Sequence, residues 1–315
     1  MRLLVTGGAG YVGSVVSTIL LERGHAVTVL DDLSIGHADA VPVGATFVEA
    51  SIFDAASVLT ADFDGVLHFA AKSLVGESVE RPELYWHTNV SGSLALLEAA
   101  RVAGVPRFVF SSTAATYGEP AHVPIPVDAA TRPTNPYGAS KLAVDMMLTS
   151  YATAYGLAAV SLRYFNVAGA HGSVGERHVV ETHLIPNVLR AVDGSGGPLK
   201  LFGTDYPTPD GSAVRDYIHV TDLAEAHLLA LESAATGRHA IYNLGSGLGS
   251  SVREVVAAAE QVTGRPVPLV ELDRRPGDPS VLVADGALAH ERLGWTPTRS
   301  LEQMVADAWS VHTGH

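Results

Sequence analysis

Three glycines spaced three residues apart constrain this chain more than any other feature. The stretch Thr6-Gly7-Gly8-Ala9-Gly10-Tyr11-Val12-Gly13 sits between an apolar run, Leu3-Leu4-Val5, and a helical pattern from Val12 to Arg23 that Gly24 ends. Glycine at 7 permits a tight turn, at 10 it lets a phosphate approach the backbone, and at 13 it lets the helix pack closely on a sheet. The helix start then offers free N–H groups and the positive end of its dipole to an anion. The spacing is Gly-x-x-Gly-x-x-Gly rather than Gly-x-Gly-x-x-Gly, but the physical logic is the same. Taken alone, such a stretch is equally a plain glycine turn.

Its surroundings favour the nucleotide reading. A second apolar run, Ala26 to Leu30, closes on Asp31-Asp32. A carboxylate at Asp31 can accept from the adenosine ribose hydroxyls and repels a 2′-phosphate, which points to NAD rather than NADP. Gly65–Phe69 and Phe108–Phe110 are further short runs, with helical stretches near 85–103 and 138–155. Strands buried on both faces read as continuous apolar runs, and helical crossovers make them parallel. The expected fold is α/β: a doubly wound parallel sheet of Rossmann type with a second, smaller α/β substrate domain. Residues 1–166 are expected to bind NAD and 167–315 the substrate, with the stretch near 214–235 packing back on the first domain. Beyond residue 166 Gly, Pro and His become frequent, and 193–198 reads as a surface loop. The pairs Asp222/Glu225, Ser251/Glu254 and Ser300/Gln303 predict capped helix starts.

Composition removes several function classes. A formal charge of -13 over 315 residues makes nucleic acid an unfavourable partner. With no cysteine, disulfides, a thiol nucleophile and thiolate metal sites are excluded. No apolar run reaches the roughly 18 residues a membrane span needs. The start of the chain lacks the apolar stretch of a secretory signal, so a cytoplasmic protein is expected. His171, His178, Glu181 and His183 cluster in a glycine-containing stretch without the His-Glu-x-x-His spacing, and no metal site is expected there.

The second informative stretch is Asn135-Pro136-Tyr137-Gly138-Ala139-Ser140-Lys141. Pro136 suits a helix start, which puts Tyr137 and Lys141 one turn apart on the same face. A phenol is a poor base at neutral pH, and lowering its pKa by about 3 units takes roughly 4 kcal/mol. A nearby ammonium and a positive nicotinamide ring both favour the phenolate. Ser111-Ser112-Thr113 follows the strand Phe108–Phe110, and ligands of such sheets bind beyond the carboxyl ends of strands. A hydroxyl there can bridge a substrate oxygen and the Tyr137 phenol.

These residues resemble the extended short-chain dehydrogenase/reductases over nearly the whole chain. Further segments resemble the UDP-galactose 4-epimerase branch of that family: His68 to Ser73, Val75 to Ser78, Arg163 to Asn166, Phe202 to Thr208, Val214 to Val220, Tyr242 to Gly245 and Arg275 to Asp278. The resemblance implies reversible epimerisation of a UDP-hexose at C4 through a transient 4-keto sugar, with NAD retained, and a homodimer through the helices near 85–103 and 138–155. It implies Tyr137 as base, Lys141 on the nicotinamide ribose and Thr113 on the sugar hydroxyl. Cofactor contacts are implied for Gly7, Gly10, Tyr11, Val12, Asp31, Ser51, Ile52, Phe69, Ala70, Ala71, Lys72, Asn89, Ser111 and Tyr164. Asn166, His183, Leu184, Phe202, Arg215, Arg275 and Asp278 are implied to hold the UDP-sugar; guanidinium forks suit diphosphate oxygens in any case. Ser51 stands where some members have an adenine-binding aspartate. Lys72 lies one residue before the position of a lysine in some members, and His183-Leu184 replaces an Asn-Leu pair. Leu282, intermediate in bulk, leaves tolerance of N-acetyl sugars open.

The same scaffold serves nucleotide-sugar 4,6-dehydratases, but those place an Asp-Glu pair directly after the strand-end threonine. Here Ala114-Ala115 follows Thr113. Epimerases of UDP-N-acetylhexosamines, UDP-glucuronate or UDP-pentoses are closer alternatives. A non-catalytic NAD-sensing protein of this fold usually lacks the Tyr/Lys pair, which this chain keeps.

Overall fold

The short β-branched runs of the first half form the middle of a parallel sheet, because each is followed by a segment that returns over one face. In the computed structural model, which describes residues 1–178, 180–275 and 278–314, seven strands compose this sheet. They are β1 (Arg2–Thr6), β2 (Ala26–Asp31), β3 (Thr46–Glu49), β4 (Gly65–His68), β5 (Arg107–Thr113), β6 (Ala158–Tyr164) and β7 (His239–Leu244). Their spatial order is β3-β2-β1-β4-β5-β6-β7, with every pairing parallel. The order reverses between β1 and β4, so a crevice opens there beyond the carboxyl ends.

Helices cover both faces. On one, α1 (Tyr11–Glu22) and the helix Val220–Ser233 share a core of Val15, Ile19, Leu67, Val109, Leu223 and Leu231. On the other, Ser93–Ala103 and Pro136–Tyr155 pack Leu96, Leu97, Val144 and Leu148 against Leu4, Val66 and Phe108. The later half of the chain thus contributes a helix and the edge strand β7 to the first unit. What remains builds a smaller unit whose core joins Ile185, Val188, Leu189, Val255, Ala259, Met304 and Val305. No helix among the described residues is long and apolar enough to cross a membrane. Pro276 and Gly277, part of the resemblance quoted above, lie outside the described residues.

Of the three capping pairs, Ser251 and Glu254 form a complete reciprocal box, and Ser300 accepts from the Gln303 N–H. Asp222 does not cap. The helix starts two residues earlier, with His219 accepting from the Thr221 N–H at 3.0 Å. Asp222 is instead buried in the first turn, where it accepts from the backbone N–H groups of Thr298 and Arg299 and pairs with the Arg299 guanidinium. A spacing rule cannot see a partner that lies 76 residues away.

The helix expected near 85–103 is also interrupted. Pro82–Tyr85 leads into a wide π-turn over Trp86–Gly92 before Ser93–Ala103 resumes. Such bulges re-aim a side chain, and here the buried residues are Asn89 and Gly92, of which only Asn89 carries a side chain to aim.

Two histidines are sealed into the first core. His68 Nδ1 lies 2.7 Å from Thr6 Oγ1 and Nε2 lies 2.8 Å from Ser93 Oγ. Burial, aided by the Lys141 charge, lowers its pKa to about 3. His227 donates to the Leu223 carbonyl at 2.9 Å, its Nε2 has no partner, and burial lowers it to about 4. The unfolded chain takes up these protons below the ordinary histidine value of about 6.5, whereas the folded protein refuses them. Stability from this source is therefore complete above pH 6.5 and falls as pH drops toward 4. His227→Leu should remove about 2 kcal/mol of the stability lost between pH 7 and pH 5. Urea midpoints at both values check this; an unchanged difference between them counts against the buried neutral imidazole.

Candidate active site

The glycine turn is built as the close approach required. Gly7 has φ of 72°, and a Cβ there would lie 2.5 Å from the Ala70 nitrogen. A Cβ on Gly13 would lie 2.2 Å from the Gly7 carbonyl oxygen. Strand β1, helix α1 and the segment after β4 are thus pressed together. The Phe69 and Ala70 N–H groups both donate to the Thr6 carbonyl, at 2.9 and 3.1 Å, which carries Phe69, Ala70, Ala71 and Lys72 along the crevice. Gly10 ends the turn as the N-cap of α1, with no side-chain cap on the helix. Tyr11 and Val12, both half-buried, open the helix at the crevice.

Asp31 closes β2 beside the turn. One carboxylate oxygen accepts from the Ala9 N–H at 3.0 Å and the other from Leu33 N–H at 2.9 Å. Each oxygen retains a second lone pair. Burial raises its pKa, and the two backbone donors oppose that. Ser51 caps a short 3-10 turn beyond β3, and the buried Ile52 follows it against Gly92. The Asn89 side chain, aimed by the π-turn, accepts from the Lys72 N–H at 2.8 Å and donates to the Lys72 carbonyl and to Ser140. One amide therefore ties the segment after β4 to the helix that carries Lys141.

That helix, Pro136–Tyr155, is capped by Asn135, whose side chain accepts from Gly138 N–H at 2.9 Å. Gly138 lets it lie against the loop after β5, since a Cβ would sit 2.4 Å from the Ala115 carbonyl oxygen. The approach brings the half-buried Tyr137 close enough to Thr113 for the threonine hydroxyl to act on the phenol. Lys141 is buried; Nζ donates to the Ser111 carbonyl at 2.9 Å and lies 4.8 Å from the Phe110 ring centre. Ser111 Oγ in turn pairs with the Tyr164 hydroxyl. Thr113, Ser111, Tyr164, Tyr137 and Lys141 are all drawn to the carboxyl ends of β5 and β6.

The electrostatics differ from the simple expectation of a phenol acidified by its lysine. Burial raises the Tyr137 pKa, and the Thr113 hydroxyl only partly offsets it. Burial also lowers Lys141 to about 7, against the opposing charge of Asp145 one turn along. In the protein by itself desolvation sets the direction of both shifts, because both groups lie in the same dry wall. Asp145 and Arg163, which sequence reasoning did not single out, form a buried ion pair beneath them at 2.9 Å. Arg163 reaches on to the Tyr117 hydroxyl, which donates to Asn243. Nothing local in the sequence marks this chain of partners.

The substrate-side residues lie in the smaller unit. Asn166, His183 and Leu184 line one depression with Tyr217. Arg275 stacks on Phe202 with its guanidinium 3.8 Å from the ring centre, and Arg215 forms an ion pair with Asp278. Leu282 stands in register with Arg215 across a parallel pairing. Arg274 is held outside this group, on Asp205 and over the Tyr206 ring. The His183 ring is turned to carboxylates: Nδ1 lies 2.7 Å from Glu176 and 2.8 Å from Glu181. Burial opposes its charge, but these bonds prevail and raise it to about 10, while His178 and His183 hold Glu176 at about 2. Glu176, absent from the sequence-based cluster, replaces His171 in a group whose ligand-type atoms lie within 4.8 Å of one another.

A parallel sheet with the 3-2-1-4-5 order, a glycine turn at its switch point and a Tyr-x-x-x-Lys helix over the next strand ends defines a dinucleotide-dependent enzyme of the short-chain dehydrogenase class. The model of the NAD dependent epimerase/dehydratase family matches residues 3–245, and the chain belongs to that family. It is 56% identical to the UDP-glucose 4-epimerase of Corynebacterium glutamicum, over 98% of this chain and 95% of that protein. It is also 56% identical to the UDP-glucose 4-epimerase of Streptomyces lividans, over 100% of this chain and 97% of that one. The crystal structure of the UDP-glucose 4-epimerase from Brucella ovis in complex with NAD matches with a TM-score of 0.94 at 45% identity, covering 99% of this chain and 98% of that chain.

The closeness of the turn is itself testable. Gly13→Ala forces a methyl group into a backbone carbonyl that cannot rotate away, so about 1–3 kcal/mol of stability should be lost. Urea unfolding measures this, and a midpoint equal to wild type would show that the contact is not tight.

Proposed function

We propose that this chain is an NAD-dependent 4-epimerase that interconverts UDP-galactose and UDP-glucose through a 4-keto sugar. The observation that carries the reading is the meeting of Tyr137, Thr113, Lys141 and Ser111 at the strand ends beside the glycine turn. The residues fit NAD: the glycines leave the turn bare, and Asp31 presents free lone pairs at the end of β2. Gly7, Gly10, Tyr11 and Val12 would face the pyrophosphate and Asp31 the adenosine ribose. Ser51, Ile52, Phe69, Ala70, Ala71, Lys72 and Asn89 would line the rest, with Ser111 and Tyr164 at the nicotinamide end. When bound, NAD supplies a hydride acceptor for C4 and a positive ring charge next to the phenol.

Tyr137 takes the proton of the sugar 4-hydroxyl and returns it after the sugar has turned its other face. Thr113 orients that hydroxyl, and Lys141 holds the ribose near the phenol. Asn166, His183, Leu184, Phe202, Arg215, Arg275 and Asp278 hold the UDP part, far from the reacting carbon. Binding energy realised there positions the hexose. Dehydration is disfavoured because Ala114 and Ala115 follow Thr113, which leaves no acid–base pair for loss of water. A homodimer accompanies this reading, supported by exposed Trp86, Leu94, Val102, Met146 and Tyr155 on the two helical segments.

The decisive assay incubates the purified protein with UDP-glucose, UDP-galactose and their N-acetyl counterparts, without added cofactor, and resolves the products. Interconversion of the first pair is expected. Tyr137→Phe should lower turnover by about 10²–10⁴-fold, the usual worth of a general base, while UDP-hexose binding by calorimetry stays as in wild type. A fully active Tyr137→Phe protein would remove the phenol from the mechanism.

A further inference from the structure

The chain that leaves the strand Asn166–Ala168 does not go straight to the helix Leu184–Asp193. It first runs back across the glycine turn of the other unit. Tyr11 donates from its hydroxyl to the Gly169 carbonyl at 2.6 Å, and His171 Nε2 lies 3.3 Å from Glu22 at the far end of α1. Farther along, His37 Nε2 lies 3.0 Å from the Arg177 carbonyl. The Arg177 guanidinium then grips Asp39 with both branches, Nη1 to Oδ2 at 2.8 Å and Nη2 to Oδ1 at 2.9 Å. A small cavity lies beneath, floored by Ala9, Gly10 and Tyr11 and roofed by Gly175, Arg177 and His178. Its floor is the bare N-terminus of α1. Beyond the roof, Glu176 is fastened to His178 and His183 at the foot of the next helix.

We propose that residues 169–178 form a strap over the dinucleotide and that the Arg177–Asp39 fork is its latch. The inference rests on the NAD-dependent reading above. A reaction that ends with the cofactor in its starting oxidation state gains nothing from releasing it, and residues 175–178 stand across the small cavity at the N-terminus of α1 where a diphosphate would lie. Arg177 is a positioning residue that acts through the strap rather than on the sugar. A fork of two parallel charge-assisted bonds fixes distance and direction together, which a single contact does not.

The test measures how fast bound dinucleotide escapes. Protein loaded with NAD is mixed with an excess of an NAD-hydrolysing enzyme, and the dinucleotide remaining on the protein is followed with time. Wild type, Arg177→Ala, Asp39→Ala and the exchanged pair carrying both Arg177→Asp and Asp39→Arg are compared. An exposed ion pair of good geometry is worth about a two- to fivefold change in rate. Each alanine variant should release NAD faster by about that factor, and the exchanged pair should return toward wild type. Added salt should speed release from wild type more than from the alanine variants. Thermal midpoints taken alongside separate a latch from general loosening, since the exchange restores a latch only if the two side chains meet. Equal release from all four proteins overturns the latch, as does an exchanged pair no slower than the single variants. A wild type that carries no dinucleotide at all sinks the cofactor reading and the strap with it, whereas normal loading with unaltered release sinks the strap alone.

Discussion

Contact between backbones at the end of β1 governs the rest of the molecule. Gly13 rests on the Gly7 carbonyl and Gly7 on the Ala70 nitrogen, with no room for a methyl group at either place. These two contacts join the first strand, the first helix and the segment after β4 into one rigid corner. Asp31 fixes a fourth element to it through the Ala9 N–H. The crevice created by the reversal of strand order is thereby given a floor of unpaired helix N–H groups, an arrangement that attracts a diphosphate without needing a lysine. The acidic balance of the chain, -13 overall, is compatible with binding anionic nucleotides for this reason. The attraction comes from oriented dipoles and a few placed guanidinium groups, not from net charge.

Dryness is the second constraint, and it acts on Tyr137, Lys141 and the histidines buried in the same core. Tyr137 is raised, Lys141 falls to about 7, His68 to about 3 and His227 to about 4, with burial the largest cause in each. The wall of the cleft therefore favours neutral forms. The lysine is placed where its charge is best tolerated, on the Ser111 carbonyl, over the Phe110 face and one turn from Asp145. A low-dielectric wall enlarges the effect of any charge that enters it. Proton transfer from a sugar hydroxyl is thus tied to the presence of ligand charge, and the phenol stays protonated in the protein alone.

What the sequence disclosed follows the range over which each signal acts. The glycine turn, the Asp31 strand end and the Tyr137/Lys141 pair are each local patterns, spanning one turn or one strand boundary. Each stands where its pattern puts it, because backbone geometry alone decides their placement. The upward shift of Tyr137 in the protein by itself was not legible, since it depends on how much water the surrounding elements exclude, and spacing carries no such information. Asp222 was misread as a cap for the same reason: Thr298 and Arg299 claim its carboxylate from the other end of the chain. Asn89 could be placed by resemblance, but the π-turn that aims it leaves no mark in the apolar periodicity. Arg163 and Asp145 were invisible as a pair because they lie on different elements, 18 residues apart. Glu176 lies within the span of the His/Glu cluster, between His171 and His178, and a full count of ligand-type residues there would have found it.

The division of labour between the two units matches what an inversion at one carbon requires. One partner must be held still, another held still beside it, and the atom between them must be free to show both faces. The proton-handling groups sit on the first sheet, at the ends of β5 and β6. The guanidinium, carboxylate and aromatic groups suited to a nucleotide diphosphate sit in the second unit, around Phe202, Arg215, Arg275 and Asp278. Their base is stiff. Asp216, fully buried next to Arg215, accepts from the N–H groups of Ser246, Gly247 and Ala284, which pins two segments behind the nucleotide groups. Rigidity on that side does not extend to the sugar, because the residues after Thr113 are the small Ala114 and Ala115 rather than a pair of carboxylates. Small side chains make few demands on the orientation of a hexose. A ring tethered at its anomeric diphosphate and only loosely gripped elsewhere can turn over without leaving, and Tyr137 can then meet the 4-oxygen from either face.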